Sequence, residues 1–300
     1  MENLFYTSKK LILIGSLLLF FSCSQDEPLN NDSLKTTSKS LSAKISADKL
    51  LVFKGPEVEI GNGIVRSWIS VNQLSGKPVE IGIEMTPGAL EGLPDIEGPG
   101  PTTVLPLHLK ARQLTPFQHI GLNWQNHGHP GGPPGSFTVP HFDFHFYMIS
   151  NEERLAIPNY SATTHAAFNN FPPTTTLTIP PMTITTGGYM PLNYGTPIGA
   201  GEGQMGKHWL PVPPNYIPFT NVMIYGTYDG KIIFVEPMIT LNFLQDETKY
   251  FSSAYNQPTI FEKEGNYPTM YNMRHEETGN INITLSHFVH QDATPPTPSL

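Results

Sequence analysis

Between Ser136 and Ile149 the chain reads SFTVPHFDFHFYMI, with a period of two. Side chains of a β-strand point alternately to opposite faces. One face therefore carries Phe137, Val139, His141, Asp143, His145 and Tyr147, and the other Phe142, Phe144, Phe146 and Met148. The phenylalanine face needs a core. The histidine face needs either water or a second cavity, because a buried Asp or His must be paired or hold a metal. No helix satisfies a pattern of this period, so the segment commits the chain to a β architecture.

The remaining elements agree. Gly63 to Val71 and Val79 to Met85 flank a Gly76-Lys77 turn. Val222 to Tyr228 and Lys231 to Leu241 flank Asp229-Gly230, a strong two-residue hairpin signal. Tyr271 to His275 and Asn280 to Phe288 flank Thr278-Gly279. Helix signals are short: Thr86-Pro87-Gly88-Ala89-Leu90 opens a turn or two, and Asn151-Glu152-Glu153 opens another. With 30 Pro and 26 Gly in 300 residues and only 14% charged residues, a helical bundle or coiled coil is excluded. The aromatic content of 11% argues against full disorder. The expected fold is mainly β: one large barrel or sandwich-like domain with long Pro/Gly/Thr-rich loops and few short helices. Residues 170–200, rich in Thr, Pro and Gly, read as a long loop, either disordered or a lid.

The termini carry a different message. Lys9 and Lys10 precede an apolar run of 11 residues, Leu11 to Phe21, too short to span about 30 Å of hydrocarbon and suited to a signal peptide. Phe20-Phe21-Ser22-Cys23 resembles a bacterial lipobox, with Cys23 as the lipidated residue. Cys23 is the one cysteine of the chain, so no intramolecular disulfide, thiolate zinc site or cysteine nucleophile is available. The expected organisation is a signal peptide over 1–22, a polar tether over 23–46, a β domain over 47–290 and a Pro-rich disordered tail over 291–300. Such a chain belongs in the bacterial cell envelope, as an outer-membrane lipoprotein facing the periplasm or the cell surface. Its formal charge of -8 is wrong for a nucleic-acid partner.

The candidate chemistry is metal binding. His141, Asp143 and His145 offer nitrogen and oxygen donors that suit Zn, Fe or Mn. Glu236 stands among apolar residues, read as sharing its face with Ile232, Phe234 and Met238, and a carboxylate there needs a cation. Pro237 beside it predicts an edge strand or an irregular ladder. His208, in Met205-Gly-Lys-His-Trp209, follows the long loop. These five residues are the expected ligands of one mononuclear centre, and the three His with Glu236 match in chemistry the donor set of cupin-like barrels. One geometric condition attaches to it. In a straight strand His141 and His145 lie about 13 Å apart at their Cα atoms, whereas an i, i+2 pair at about 7 Å chelates easily. Either two neighbours bind and the third stands apart, or a bulge shortens the strand. His127-Gly128-His129 reads as loop or rim, because a Gly/Pro-rich segment positions ligands poorly. The other reading is a non-enzymatic protein, structural or binding a ligand or glycan, whose polar cluster is a buried hydrogen-bond network. No nucleotide or organic cofactor is expected: there is no phosphate-cradling glycine loop, no Gly-x-Ser-x-Gly elbow and no His-Glu-x-x-His.

Several blocks together resemble a bacterial family of exported proteins of unknown function whose founding structure comes from a Thermus species. They are Trp68 to Leu93, His129 to Tyr147, Met205 to Trp209, Ile224 to Lys231 and Phe234 to Thr240, within roughly residues 60–288. The resemblance implies a mainly β domain that assembles into a homo-oligomer, and it brings no activity.

Overall fold

The computed structural model describes residues 29–30, 49–98 and 100–294. The leader, Cys23, most of the tether and residues 295–300 lie outside the described residues. Strands β1 (Leu29–Asn30), β2 (Leu50–Lys54), β3 (Val58–Ile60), β4 (Gly63–Asn72) and β5 (Pro78–Met85) begin the first sheet. The chain then builds a whole second sheet. Its strands are β6 (Thr103–Pro106), β7 (His119–Gln125), β8 (His141–Tyr147), β9 (Thr174–Ile179), β10 (Met182–Gly188), β11 (Tyr194–Pro197), β12 (Lys207–Pro211), β13 (Asn221–Tyr228) and β14 (Lys231–Thr240). Finally β15 (Phe251–Ala254), β16 (Gly265–His275) and β17 (Ile281–Gln291) return to the first.

The first sheet runs β1-β2-β4-β5-β17-β16-β15, with β3 also on β4; the second runs β6-β7-β8-β14-β13-β12-β11-β10-β9. Every pairing within them is antiparallel. Ile69, Ile81, Ile83 and Ile283 of the first sheet join Phe142, Phe144, Phe146, Val235 and Trp209 of the second in one buried core. This is a sandwich of two open sheets, not a closed barrel.

The expected hairpins form. Asp229 and Gly230 both take positive φ, 44° and 79°, as a two-residue turn between β13 and β14 requires. The helices are short: a 3₁₀ turn at Pro87–Leu90, α1 (Leu109–Leu114), α2 (Asn151–Leu155), α3 (His165–Asn169) and α4 (Leu241–Gln245). The first turn of α2 is fixed by a capping box between Ser150 and Glu153.

The reading of residues 170–200 as a lid-length loop is corrected. Alternating Thr-rich segments pair as β9, β10 and β11 and extend the second sheet to its far edge. Thr is β-branched and suits strands, and Pro180-Pro181 breaks the run into a hairpin instead of unfolding it. Residues 291–294 are held, with Ala293 bridging Phe261 and the Thr294 amide donating to the Phe261 carbonyl at 2.8 Å.

Candidate metal centre

Both faces of β8 are buried, but by different means. Phe142, Phe144 and Phe146 enter the core between the sheets. His141, Asp143, His145 and Tyr147 point the other way, off the outer face of the second sheet, and all four are buried. The cover is two small apolar clusters. Phe137, Leu210, Tyr216, Val222, Ile224 and Met238 close one end, and Ile157, Phe168, Ile233 and Phe234 pack round Tyr147 at the other. The histidine face therefore meets neither water nor the inter-sheet core, but apolar neighbours on its own sheet joined by Phe137, Tyr216, Ile157 and Phe168 from outside the strands.

Register fixes what each donor faces. On β7, Gly121 lies opposite His145, Asn123 opposite Asp143 and Gln125 opposite His141. On the other side, Val235 pairs with Phe146 and Met238 with Asp143, so the same register sets Glu236 across from His145. The ladder is interrupted between those pairs, at Glu236 and Pro237. Pro237 has no N–H to give. The irregularity predicted from Pro237 is present, but β14 is an interior strand, not an edge. Ile232 also departs from expectation. Gly226 pairs with Phe234 and Thr227 with Ile232, leaving Ile233 as an extra residue. This bulge turns Ile232 to the main core, while Ile233 and Phe234 stay on the ligand face.

The donors gather in two groups. In the first, His145 Nε2 lies 3.3 Å and His208 Nε2 3.7 Å from Glu236 Oε2. In the second, His141 Nε2 lies 3.2 Å from Asp143 Oδ1, and His129 Nε2 lies 4.0 Å from Asp143 Oδ2. Within each group one donor atom from each residue lies within 4.8 Å of the others. The five residues expected to share one ion thus divide three and two, and His129 joins the pair. The cause is the straightness of β8, which pairs with β7 without a register shift from His141 to Tyr147. Nothing shortens the span between the two histidines.

His208 is not on a loop but in β12, opposite Gly226, which in turn faces Phe234. Glycine is required here: a Cβ on Gly226 would lie 2.1 Å from the Phe234 ring. The Phe234 ring stands 4.7 Å from that of His145 and 5.3 Å from that of His208. On its other side the His145 ring stacks on Tyr147 at 5.4 Å and 10°. Aromatic packing therefore sets both imidazoles before any ion arrives.

The electrostatics follow from burial. Burial pushes Glu236 well above the usual carboxylate range, with the charge of Asp143 adding to it. Burial lowers His145 to about 3 and His208 to about 4. Burial would raise Asp143 as well, but the His141 imidazole 3.2 Å away, with the charges of His129 and His145 behind, holds it at about 2. The same contact outweighs the burial of His141 and raises its pKa. His141 Nε2, Asp143 Oδ1, both ring nitrogens of His145 and Glu236 Oε2 are buried without a hydrogen-bond partner. A network of satisfied hydrogen bonds does not describe these atoms.

Three residues escaped the sequence reading. His129 was set aside for its loop, and Asn123 and Gln125 were not singled out. Their signal was the period of β7, where His119, Gly121, Asn123 and Gln125 alternate with Ile120, Leu122 and Trp124 as the β8 residues do. His127 stays apart from both groups, bound to Asp95 at 2.8 Å.

The TTHB210-like family, described as hypothetical protein TTHB210, matches the chain over residues 75–124. That is 50 of the 300 residues, running from the β4–β5 turn through most of β7. It includes Gly121 and Asn123, which face the donors of β8, but no donor of either group. No curated protein and no solved structure matches the chain. The similarity is therefore to a family without a stated activity, over a span that frames the donors without containing them.

Proposed function

We propose that this chain is an exported, lipid-anchored envelope protein whose sandwich domain holds a divalent metal ion through His145, His208 and Glu236. One observation carries the reading: Glu236 Oε2 is buried, accepts no hydrogen bond, and sits 3.3 Å and 3.7 Å from two imidazole nitrogens. Donors bound at about 2.0–2.1 Å round a tetrahedral ion stand roughly 3.3–3.4 Å apart. The spacing is thus that of ligands round a common centre. Ionised, a carboxylate in apolar surroundings needs a cation, and among the described residues no Lys or Arg forms an ion pair with it. Two nitrogens and one oxygen suit Zn, Fe or Mn. Three protein ligands also leave a coordination position for water or substrate, the arrangement of reactive rather than purely structural sites. No reaction is assigned, because neither the donors nor the family match names one.

Metal analysis of the full chain purified from the envelope fraction tests the site. Close to one equivalent should depend on His145 and Glu236, with His145→Ala and Glu236→Ala both losing it; equal metal content in all three proteins would sink the proposal. The anchor is tested separately. Cys23→Ser should move the protein from the membrane to the soluble fraction, and unchanged partitioning would remove the lipid from the account.

A further inference from the structure

We propose that His129, His141 and Asp143 form a second site for a divalent cation, separate from the first. The tautomers are already set for it. His141 Nδ1 lies 2.7 Å from the Val139 carbonyl oxygen and His129 Nδ1 lies 3.0 Å from that of Pro130. A carbonyl only accepts, so each Nδ1 carries the hydrogen and each Nε2 presents its lone pair. Both lone pairs point toward one carboxylate, Asp143, which accepts a hydrogen bond on Oδ2 from Gln125 Nε2 at 3.0 Å. Each donor residue thus has an outer partner that orients it, the usual support of a metal site. In the first group His145 Nδ1 has no such partner.

A proton shared between His141 and Asp143 accounts for two of these residues, but not for the third. His129 Nε2 stands 4.0 Å from Asp143 Oδ2, beyond hydrogen-bond reach. An ion about 2.1 Å from each atom spans that gap. The Gly/Pro-rich loop is also better anchored than its composition suggests. The His129 amide donates to the Phe137 carbonyl at 2.9 Å, and buried Phe137 stacks on Tyr216 at 5.4 Å and 18°. Residues 127–138 line an open pocket of about 460 Å³, His129 among them, and each site reaches solvent at one histidine, His129 at 32% exposure and His208 at 24%.

The two sites can be told apart by counting ions. The purified full chain, stripped with a chelator and titrated with Zn²⁺, should bind two ions by native mass spectrometry. His129→Ala should bind one, Glu236→Ala one, and the double variant none. His129 lies on a loop, so unchanged thermal unfolding of the metal-free variant confirms that it folds. Two ions retained by His129→Ala overturn the second site, as does a single wild-type ion that His129→Ala keeps. A single ion lost in His129→Ala but kept in Glu236→Ala upholds the second site and removes the first. No ion in the wild type overturns both.

Discussion

The two faces of β8 are equally inaccessible to water, yet they are built to opposite rules. On one, Phe142, Phe144 and Phe146 bury carbon against carbon, and Phe142 and Phe144 lie 5.9 Å apart at their ring centroids. On the other, donor atoms are buried without partners among apolar side chains of strands, helix and loops. The first face contributes stability through the hydrophobic effect. The second gives some of it up, since an unsatisfied buried polar group costs about 1–3 kcal/mol. Burial by itself therefore does not define a core.

The comparison can be broken experimentally. The largest effect belongs to the apolar face: Phe144→Ala should destabilise the fold by about 3–5 kcal/mol, as large-to-small core changes do. Chemical denaturation measures it, and a loss below 1 kcal/mol would mean that the sheets are not tightly packed there. Next comes metal. Zn²⁺ at a hundred times its dissociation constant should raise the unfolding free energy by about 2.7 kcal/mol per site. Apolar replacement on the ligand face should then have the opposite sign to Phe144→Ala. Glu236→Leu should stabilise the metal-free protein by about 1–3 kcal/mol and cancel the gain from metal at its site. A destabilised metal-free Glu236→Leu would reverse the reading of that face.

A smaller effect concerns outer partners. Gln125→Ala should weaken the second site by roughly tenfold and leave the first unchanged, as isothermal titration will read. The smallest marks an exception on the core side of β12. Lys207 is buried beside Trp209, and burial lowers its pKa to about 8. Between about pH 8 and the unfolded value near 10.4, the unfolded chain holds a proton that the folded chain has released. Stability therefore rises with pH through this window on account of Lys207, and Lys207→Met should flatten the rise in a pH series of denaturation midpoints.

The strands were legible because periodicity and turn chemistry are local. Asp229-Gly230 announces its hairpin, and Phe142, Phe144 and Phe146 announce their core. The donor residues of β8 and β14 were legible for the same reason, since a charged side chain stands out within an apolar strand. Their grouping was not. It depends on β14 lying beside β8 and β12 lying two strands further on, pairings that no short-range pattern contains. His129 was missed because composition describes its loop as loose. The loop is held by the Phe137 carbonyl and by a ring stacked on Tyr216, contacts made across distance in the chain. Residues 170–200 were misread for a related reason: Thr, Pro and Gly describe a turn-rich strand pair as readily as a loop.

The unbroken register of β7 on β8 has one more consequence. In a strand of period two, a single inserted residue exchanges inside for outside along everything beyond it. One residue added within β8 would send phenylalanines into the donor layer and leave His145 between the sheets, losing metal and fold together. The same residue added to the 127–138 loop would shift no strand. A stretch whose lengthening shifts no strand thus stands directly before one where every position is counted, and variation in length among similar sequences should stop sharply at Pro140.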